Sequence, residues 1–449
     1  MQQRIRRLGQ TLKNSFHSPD ARLMYIFALE GMLFQFSGSI KAFGNNLFAT
    51  NLGATDTQIG LIQTIGSAVT VALLLPVGII SDHCKSSKTV PVCLLILGGL
   101  MFILQSLVPF MGAARMGLFF VFMGLSAGLF GAYGGQWQSM FGDMVDIHRR
   151  NRIYALRNRV MAALGMVVPM FLGIPVSQRL TAEGKLSVLS FFFLLSGILM
   201  LAQAVVVLRV LPGGRRSAAQ LEAAEHFSLK NIGEAMLGAA RNRPFMGFVF
   251  SSLALYMVWH FDWSMWYIGQ TQYALLSEAQ LSYYNAICCV VQIFALGFWA
   301  RVNQRINVYF TSCFCAAGLA LYPLYMILSS VVPVPLRPWT LMLLAPTANA
   351  FECAIGMVMV QMLLAVVPER HRSLTVSLYT ILITLSNALL PLLGVRLYTA
   401  LGADATAFRQ FFLIGFVVRA AVAVYYLLRY RRMKASGELA RLSSEERAE

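Results

Sequence analysis

Glu30, Lys41, His260, Asp262 and Glu352 are ionisable residues set inside long apolar stretches of this chain. An ionised group in hydrocarbon costs several kcal/mol, so such residues face a cavity, take a partner or mark a pathway. Glu30 and Lys41 lie 11 positions apart, about 1,100° of helical rotation, and so share a helix face. The same interval is roughly 16 Å along the axis, too far for direct pairing. Ser37 and Asn45 extend that face into a polar stripe, and each charge needs another partner, water or a substrate.

A second constellation reads Trp259-His260-Phe261-Asp262-Trp263-Ser264-Met265-Trp266. Trp259 and Trp263 are at i and i+4, on one face, where indole rings can stack on a sugar ring or attract a cation. Imidazole changes charge near neutral pH, which makes His260 a candidate proton carrier. Asn349 and Glu352, at i and i+3, share a face, and a carboxyl at that depth can hold a proton near neutrality. Gln136 and Gln138 add amides in another stretch. Blander roles compete. Lys41 could snorkel to an interface, Trp266 could belong to an interfacial aromatic belt, and His260 could be a satisfied structural group. Amides such as Gln292 and Asn387 are expected to bond helix to helix.

The elements that must hold these residues are long and apolar. Twelve stretches run over 23–47, 59–81, 91–110, 117–141, 156–177 and 186–211, then 245–267, 281–300, 308–332, 341–367, 374–397 and 411–428. About 20 helical residues cross a hydrocarbon core, so each is long enough. Only 12% of the residues are charged, against about 25% in a soluble chain. The expected fold class is an all-α membrane protein with twelve transmembrane helices in two pseudo-symmetric six-helix bundles.

A net charge of +17 could suggest nucleic acid, but its distribution argues otherwise. With both ends of the chain on one side, 25 of the 36 Lys and Arg fall in the loops and tails of that side and 5 on the other, the remaining 6 lying within the stretches. This is the positive-inside bias, and it places both termini in the cytoplasm. No basic stripe is left that needs nucleic acid. The 7 cysteines show no zinc-site spacing and read as small apolar groups. The resulting division is a cytoplasmic N-terminal tail, 1–22, a six-helix bundle, 23–211, a cytoplasmic linker, 212–244, a second bundle, 245–428, and a charged cytoplasmic tail, 429–449. The N-terminal tail is not a cleavable signal. The linker holds a helix-like stretch over 221–240.

The second half resembles the first. Thr55-Asp56-Thr57-Gln58 opens the second stretch, and Ser277-Glu278-Ala279-Gln280 opens the eighth, 222 positions later. Both are capping boxes. Val145, Arg150 and Pro169 match Val367, Arg372 and Pro391 at the same offset. The loop Gly78-Ile79-Ile80-Ser81-Asp82-His83-Cys84-Lys85-Ser86-Ser87-Lys88 resembles the signature loop of the major facilitator superfamily. There a Gly that lets helices pack closely is followed four residues later by Asp and then a basic cluster. Gly78 and Asp82 match, with Lys85 and Lys88 as the basic groups, and His83, Lys85 and Ser86 depart from the usual residues. The second copy is weaker, since Arg301 stands where the carboxylate would be.

The resemblance implies a secondary transporter working by alternating access, with a central cavity lined by the first, fourth, seventh and tenth spans. It implies that Asp82 is held at a cytoplasmic gate between the halves. The expected partners are a small-molecule substrate, a coupling ion that is H+, and the bilayer of the cytoplasmic membrane. The chain is expected to be a monomer with no cofactor and no enzymatic activity. The leading substrate class is a small polar organic solute. The alternative is efflux of amphipathic drugs by H+ antiport, although the fourth span lacks the Arg usual in such antiporters and Val168 stands where their fifth-span motif has Gly. A non-transporting receptor is the third possibility. Lys41 and Asp262 sit at similar depth in the first and seventh spans, and are expected to approach each other as an outer latch.

Overall fold

The computed structural model describes residues 19–145, 147–211, 229–367 and 372–437, and their regular elements are helices. Twelve spans are long and apolar enough to cross a membrane, so this is an integral multi-pass membrane protein. Apolar side chains surround these helices rather than forming one stripe, which marks a helix solvated by lipid. Phe250, Phe294 and Leu343 point outward with 69%, 76% and 73% of their surface exposed.

The first set of helices is α1 (Pro19–Leu52), α2 (Asp56–His83), α3 (Thr89–Ser106), α4 (Arg115–Met144), α5 (Ile147–Ser177) and α6 (Ala182–Val205). A separate helix, α7 (Leu229–Arg241), lies in the expected linker, whose residues 212–228 are outside the described ones. The second set is α8 (Arg243–His260), α9 (Trp263–Ile268), α10 (Glu278–Arg305), α11 (Val308–Val331), α12 (Arg337–Glu352), α13 (Ile355–Val366), α14 (Arg372–Ala400) and α15 (Ala405–Ala435).

The repeat holds at the level of helices. Asp56 and Glu278 begin α2 and α10, and His83 and Arg305 end them, each pair 222 positions apart. Arg115 begins α4 and Arg337 begins α12 in the same register. Both capping boxes form with matching distances. Gln58 and Gln280 each donate a backbone N–H to the cap hydroxyl at 3.3 Å, and each Gln carbonyl accepts the cap N–H at 2.9 Å. Helix pairing repeats as well: α1 packs on α5 and α3 on α6, and in the second set α8 packs on α14 and α11 on α15.

The chain separates into two compact units, Met1–Leu52 with Val69–His226, and Gly53–Ala68 with Phe227–Glu449. Residues 53–68, the start of α2, therefore group with the second unit. There Gln63 donates to Asn387 at 3.1 Å and Gln272 donates to Asp56 at 2.7 Å. In the first unit α3 and α6 meet through glycines, since a Cβ on Gly197 would lie 2.6 Å from the Gly99 carbonyl oxygen.

Two expected spans are not continuous. The seventh stops at His260, turns through Phe261 and Asp262, and resumes as α9 before a wider π-helical turn at Gly269–Tyr273. The tenth stops at Glu352 and resumes as α13 at Ile355. An uninterrupted helix was expected at both places because apolar content does not reveal where the ladder is broken. Breaking a helix at membrane depth frees carbonyls that need other donors. Side chains supply them. Arg419 donates to the carbonyls of Val258 at 3.1 Å and Trp259 at 3.5 Å, and Trp299 donates to that of Ala350 at 2.7 Å. Gly394 admits the displaced chain, because a Cβ there would stand 2.0 Å from the Phe261 carbonyl oxygen.

The last helix also differs from expectation. Residues 429–435 continue α15 rather than starting a tail, and Arg429 Nη1 donates to Ser251 Oγ. Bonding to a packed helix offsets part of the cost of ordering a charged segment.

Candidate functional site

The two helix breaks frame a cavity of about 210 Å³ in the second unit. Trp259, at the end of α8, and Trp263 and Trp266, on α9, form much of its wall. Tyr284 from α10 and Tyr322 from α11 add phenols, Gln270 adds an amide, and Glu352 and Arg419 add charge. The ring planes do not lie parallel. Trp259 and Trp263 are perpendicular at 5.4 Å between centroids, and Trp266 meets Tyr322 edge-on at 4.4 Å. Such edge-to-face pairs are favoured by the ring quadrupoles and hold each other in place.

Glu352 ends α12 with its Oε1 accepting from Trp259 Nε1 at 2.9 Å. Among the described residues it forms no ion pair. Arg419 is already committed: Nη2 donates to Asp262 Oδ1 at 2.5 Å and Nη1 donates to the Leu319 carbonyl at 2.8 Å. Its guanidinium thus covers the carbonyl end of α8, where the helix dipole favours positive charge, and ties that end to α11. Both partners of the pair are 2% exposed. Asn349 donates to the Tyr322 hydroxyl at 3.4 Å, and its Oδ1 is buried with no described donor.

The first unit holds a different kind of carboxylate. Glu30 is fully buried on α1, and five hydrogen bonds reach it. Tyr133 at 2.7 Å, Gln203 at 2.8 Å and Arg157 Nη2 at 3.4 Å donate to Oε1. Trp137 at 3.0 Å and Arg157 Nε at 2.8 Å donate to Oε2. The guanidinium also sits 3.8 Å from the centroid of the Trp137 ring. Arg157 crosses α1 at Gly31, where a Cβ would lie 2.5 Å from the Arg157 Cγ. This sealed pair joins α1, α4, α5 and α6, and losing its charge would strand a buried guanidinium. Glu30 is therefore the anchor of four helices.

Other expected residues fall elsewhere. Lys41 is half-buried with its ammonium 4.5 Å from the Phe130 centroid, and Asp262 has Arg419 as its partner within the second unit. A nearby fixed cation satisfies a buried carboxylate better than one from another segment. The polar stripe on α1 is used in packing: Ser37 donates to the Ser196 carbonyl at 3.1 Å, and Gln105 donates to Asn45 at 2.9 Å. His260 is buried, its Nδ1 3.1 Å from Ser386 Oγ, and it is not among the cavity residues. Trp266 lines the cavity rather than an interfacial belt. Gln136 is half-buried and Gln138 exposed.

The signature loop is less committed than expected. Nothing described lies within 4 Å of a Cβ built on Gly78, so that glycine serves no close contact among the described residues. Asp82 closes the last turn of α2, and its side chain is outside the described part. Lys85 is exposed. Lys88 is buried and its ammonium donates to the Leu211 carbonyl, capping the turn that follows α6 instead of joining a basic cluster.

Arg157, Arg419, Tyr133, Gln203, Tyr284 and Tyr322 were not singled out from the sequence. Arg419 had one legible signal, a cation inside the last apolar stretch with no carboxylate near it in that stretch.

The sequence profile of the Major Facilitator Superfamily matches residues 27–345. No curated protein matches the chain. Among solved structures, a bacterial homolog of the human lysosomal transporter Spinster is 15% identical, with a TM-score of 0.68 over 92% of this chain and 98% of that one. The nucleoside transporter NupG is 11% identical, with a TM-score of 0.67 over 91% and 99%. A peptide transporter, POT, crystallised with sulfate, is 12% identical, with a TM-score of 0.66 over 92% and 95%. At these identities the likeness is one of fold.

Proposed function

The chain belongs to the Major Facilitator Superfamily, and on that premise we propose that it is a secondary active transporter moving a small organic solute by alternating access, coupled to H+. The observation that carries the coupling is Glu352, a carboxylate at a helix break, lining a cavity and lacking a basic partner of its own among the described residues. A carboxylate with a fixed guanidinium cannot exchange its proton cheaply, whereas Glu352 is held by neutral donors, the Trp259 indole N–H and the Tyr322 hydroxyl. The charged and titratable groups around it are the paired Arg419 and Asp262, the hydroxyls of Tyr322 and Tyr284, and the Cys288 thiol.

Lys41 has no carboxylate partner among the described residues and stands over the Phe130 ring face, which keeps it a candidate binding residue of the first unit. The positive-inside bias supports a cytoplasmic membrane with both termini inside. A monomer is the simplest assembly consistent with this design.

The test uses proteoliposomes of the purified protein with an imposed pH gradient. Glu352→Gln is expected to abolish gradient-driven accumulation and leave solute exchange largely intact. Accumulation by Glu352→Gln equal to wild type would remove Glu352 from coupling. A second reading, export of amphipathic compounds in exchange for H+, is favoured by the aromatic lining with its single unpaired acid. Loading everted vesicles with H+ from either side separates uptake from export.

A further inference from the structure

We propose that the cavity of the second unit recognises the head of a small organic cation, a substituted ammonium group, rather than a sugar ring. This deepens the transport reading and rests on Glu352 as the exchanging carboxylate of that site.

The argument starts from what the walls leave free. A sugar needs one flat ring platform and several donors and acceptors around it. Here Trp259 and Trp263 stand at 90° to each other, and Trp266 is fixed edge-on to Tyr322. Rings set perpendicular in one wall present π surface in more than one direction, which suits a rounded group rather than a flat one. A cation is attracted to such faces when it lies within about 6 Å of a ring centroid.

The polar inventory agrees. The Trp259 N–H is used by Glu352, and the Arg419 donors are used by Asp262 and three carbonyls. The Trp266 N–H is engaged with Asp262 as well, which leaves the Trp263 N–H and the Gln270 amide as the donors on the wall. The anionic acceptor on the wall is the Glu352 carboxylate, which takes the Trp259 N–H and the Tyr322 hydroxyl. Arg419 and Asp262 cancel, so the ionised site carries a single unbalanced negative charge. One negative charge walled by indole faces matches one monocation. At about 210 Å³ the cavity is smaller than the usual ~300–1,000 Å³ of pockets for drug-sized ligands, so it fits a head group or a small whole cation.

The test is binding to the purified full chain in detergent, with no gradient, followed by intrinsic tryptophan fluorescence and thermal shift. The probes are tetramethylammonium, choline, its uncharged isostere 3,3-dimethylbutanol, and methyl glucoside. The two cations are expected to quench fluorescence and raise Tm, and the isostere to bind about tenfold weaker or less tightly still. Trp263→Leu and Glu352→Gln are each expected to weaken choline binding about tenfold, while Trp263→Phe, which keeps a ring face, retains most of it. Equal binding of the isostere and choline, preference for methyl glucoside, or no response to either cation at millimolar concentration would overturn the proposal. If the cations fail while Glu352→Gln still uncouples vesicles, this inference falls and the transport reading stands. If the cations bind but Glu352→Gln accumulates solute normally, coupling falls and the cation site stands.

Discussion

Among the described residues each unit buries one carboxylate–arginine pair, but at different places, and the difference separates a sealed cluster from a cavity wall. In the 222 register Asp262 stands where the first repeat has Ile40, and Arg419 stands where it has Gly197. Ile40 is fully buried in an unbroken α1, and Gly197 lets α6 touch α3. Replacing that apolar pair of positions with Asp and Arg puts a guanidinium beside the carbonyls of α8, which lets the helix stop. Conversely, Glu30 and Arg157 correspond to Ser252 and Tyr379, so the second repeat carries no ion pair at the first repeat's anchor. One scaffold therefore uses buried charge twice, once to lock four helices and once to stabilise an opening between broken ones.

The largest effect should come from the locks. Arg157→Leu is expected to cost about 3–5 kcal/mol, because it leaves Glu30 buried and unpaired. Arg419→Leu should cost a similar amount and also remove choline binding. Thermal unfolding in detergent reads both. Adding Glu30→Leu to Arg157→Leu should recover much of the loss, and failure to recover would mean the anchor acts by shape rather than charge.

Next come the two close approaches. Gly394→Ala places a methyl against a backbone oxygen, whereas Gly31→Ala places one against a movable side chain. The first should cost about 1–3 kcal/mol or more and the second less, since Arg157 can shift. Equal losses would show that the break at Phe261 tolerates displacement, and would weaken the link between break and cavity.

Lys88→Met removes one hydrogen bond to the carbonyl of Leu211 and should cost about 0.5–1.5 kcal/mol with little effect on transport. A strong transport defect without loss of stability would return Lys88 to the gate. The smallest stability change, below about 1 kcal/mol, is expected for Glu352→Gln, which keeps an acceptor for Trp259 and removes no ion pair. A loss as large as that of Arg157→Leu would make Glu352 a second anchor and erase the contrast between the units.

Much of the architecture was legible in the sequence, because its signals are local. Twelve apolar stretches and two capping boxes each depend only on residues near in the chain, and the common offset needs only the two halves laid side by side. Glu352, Trp259 and Trp263 were also legible as unusual groups at membrane depth, and all three line the cavity. Ser37, Asn45, Glu30 and His260 were equally conspicuous, yet each is absorbed by packing. Polarity within a span signals that a partner is needed, but does not say whether that partner is protein or solute.

The sequence alone determined the number and length of the spans, the duplication and the sites where charge had to be reconciled with hydrocarbon. Tertiary structure decided the reconciliation. Arg157 lies 127 positions from Glu30 and Arg419 157 positions from Asp262. Trp299 and Arg419 take the carbonyls that allow α8 and α12 to end early. Helical periodicity fixes which residues share a face of one helix, but a buried charge or carbonyl is satisfied by whichever donor a neighbouring helix brings within about 3 Å. That distance is set only when the helices pack.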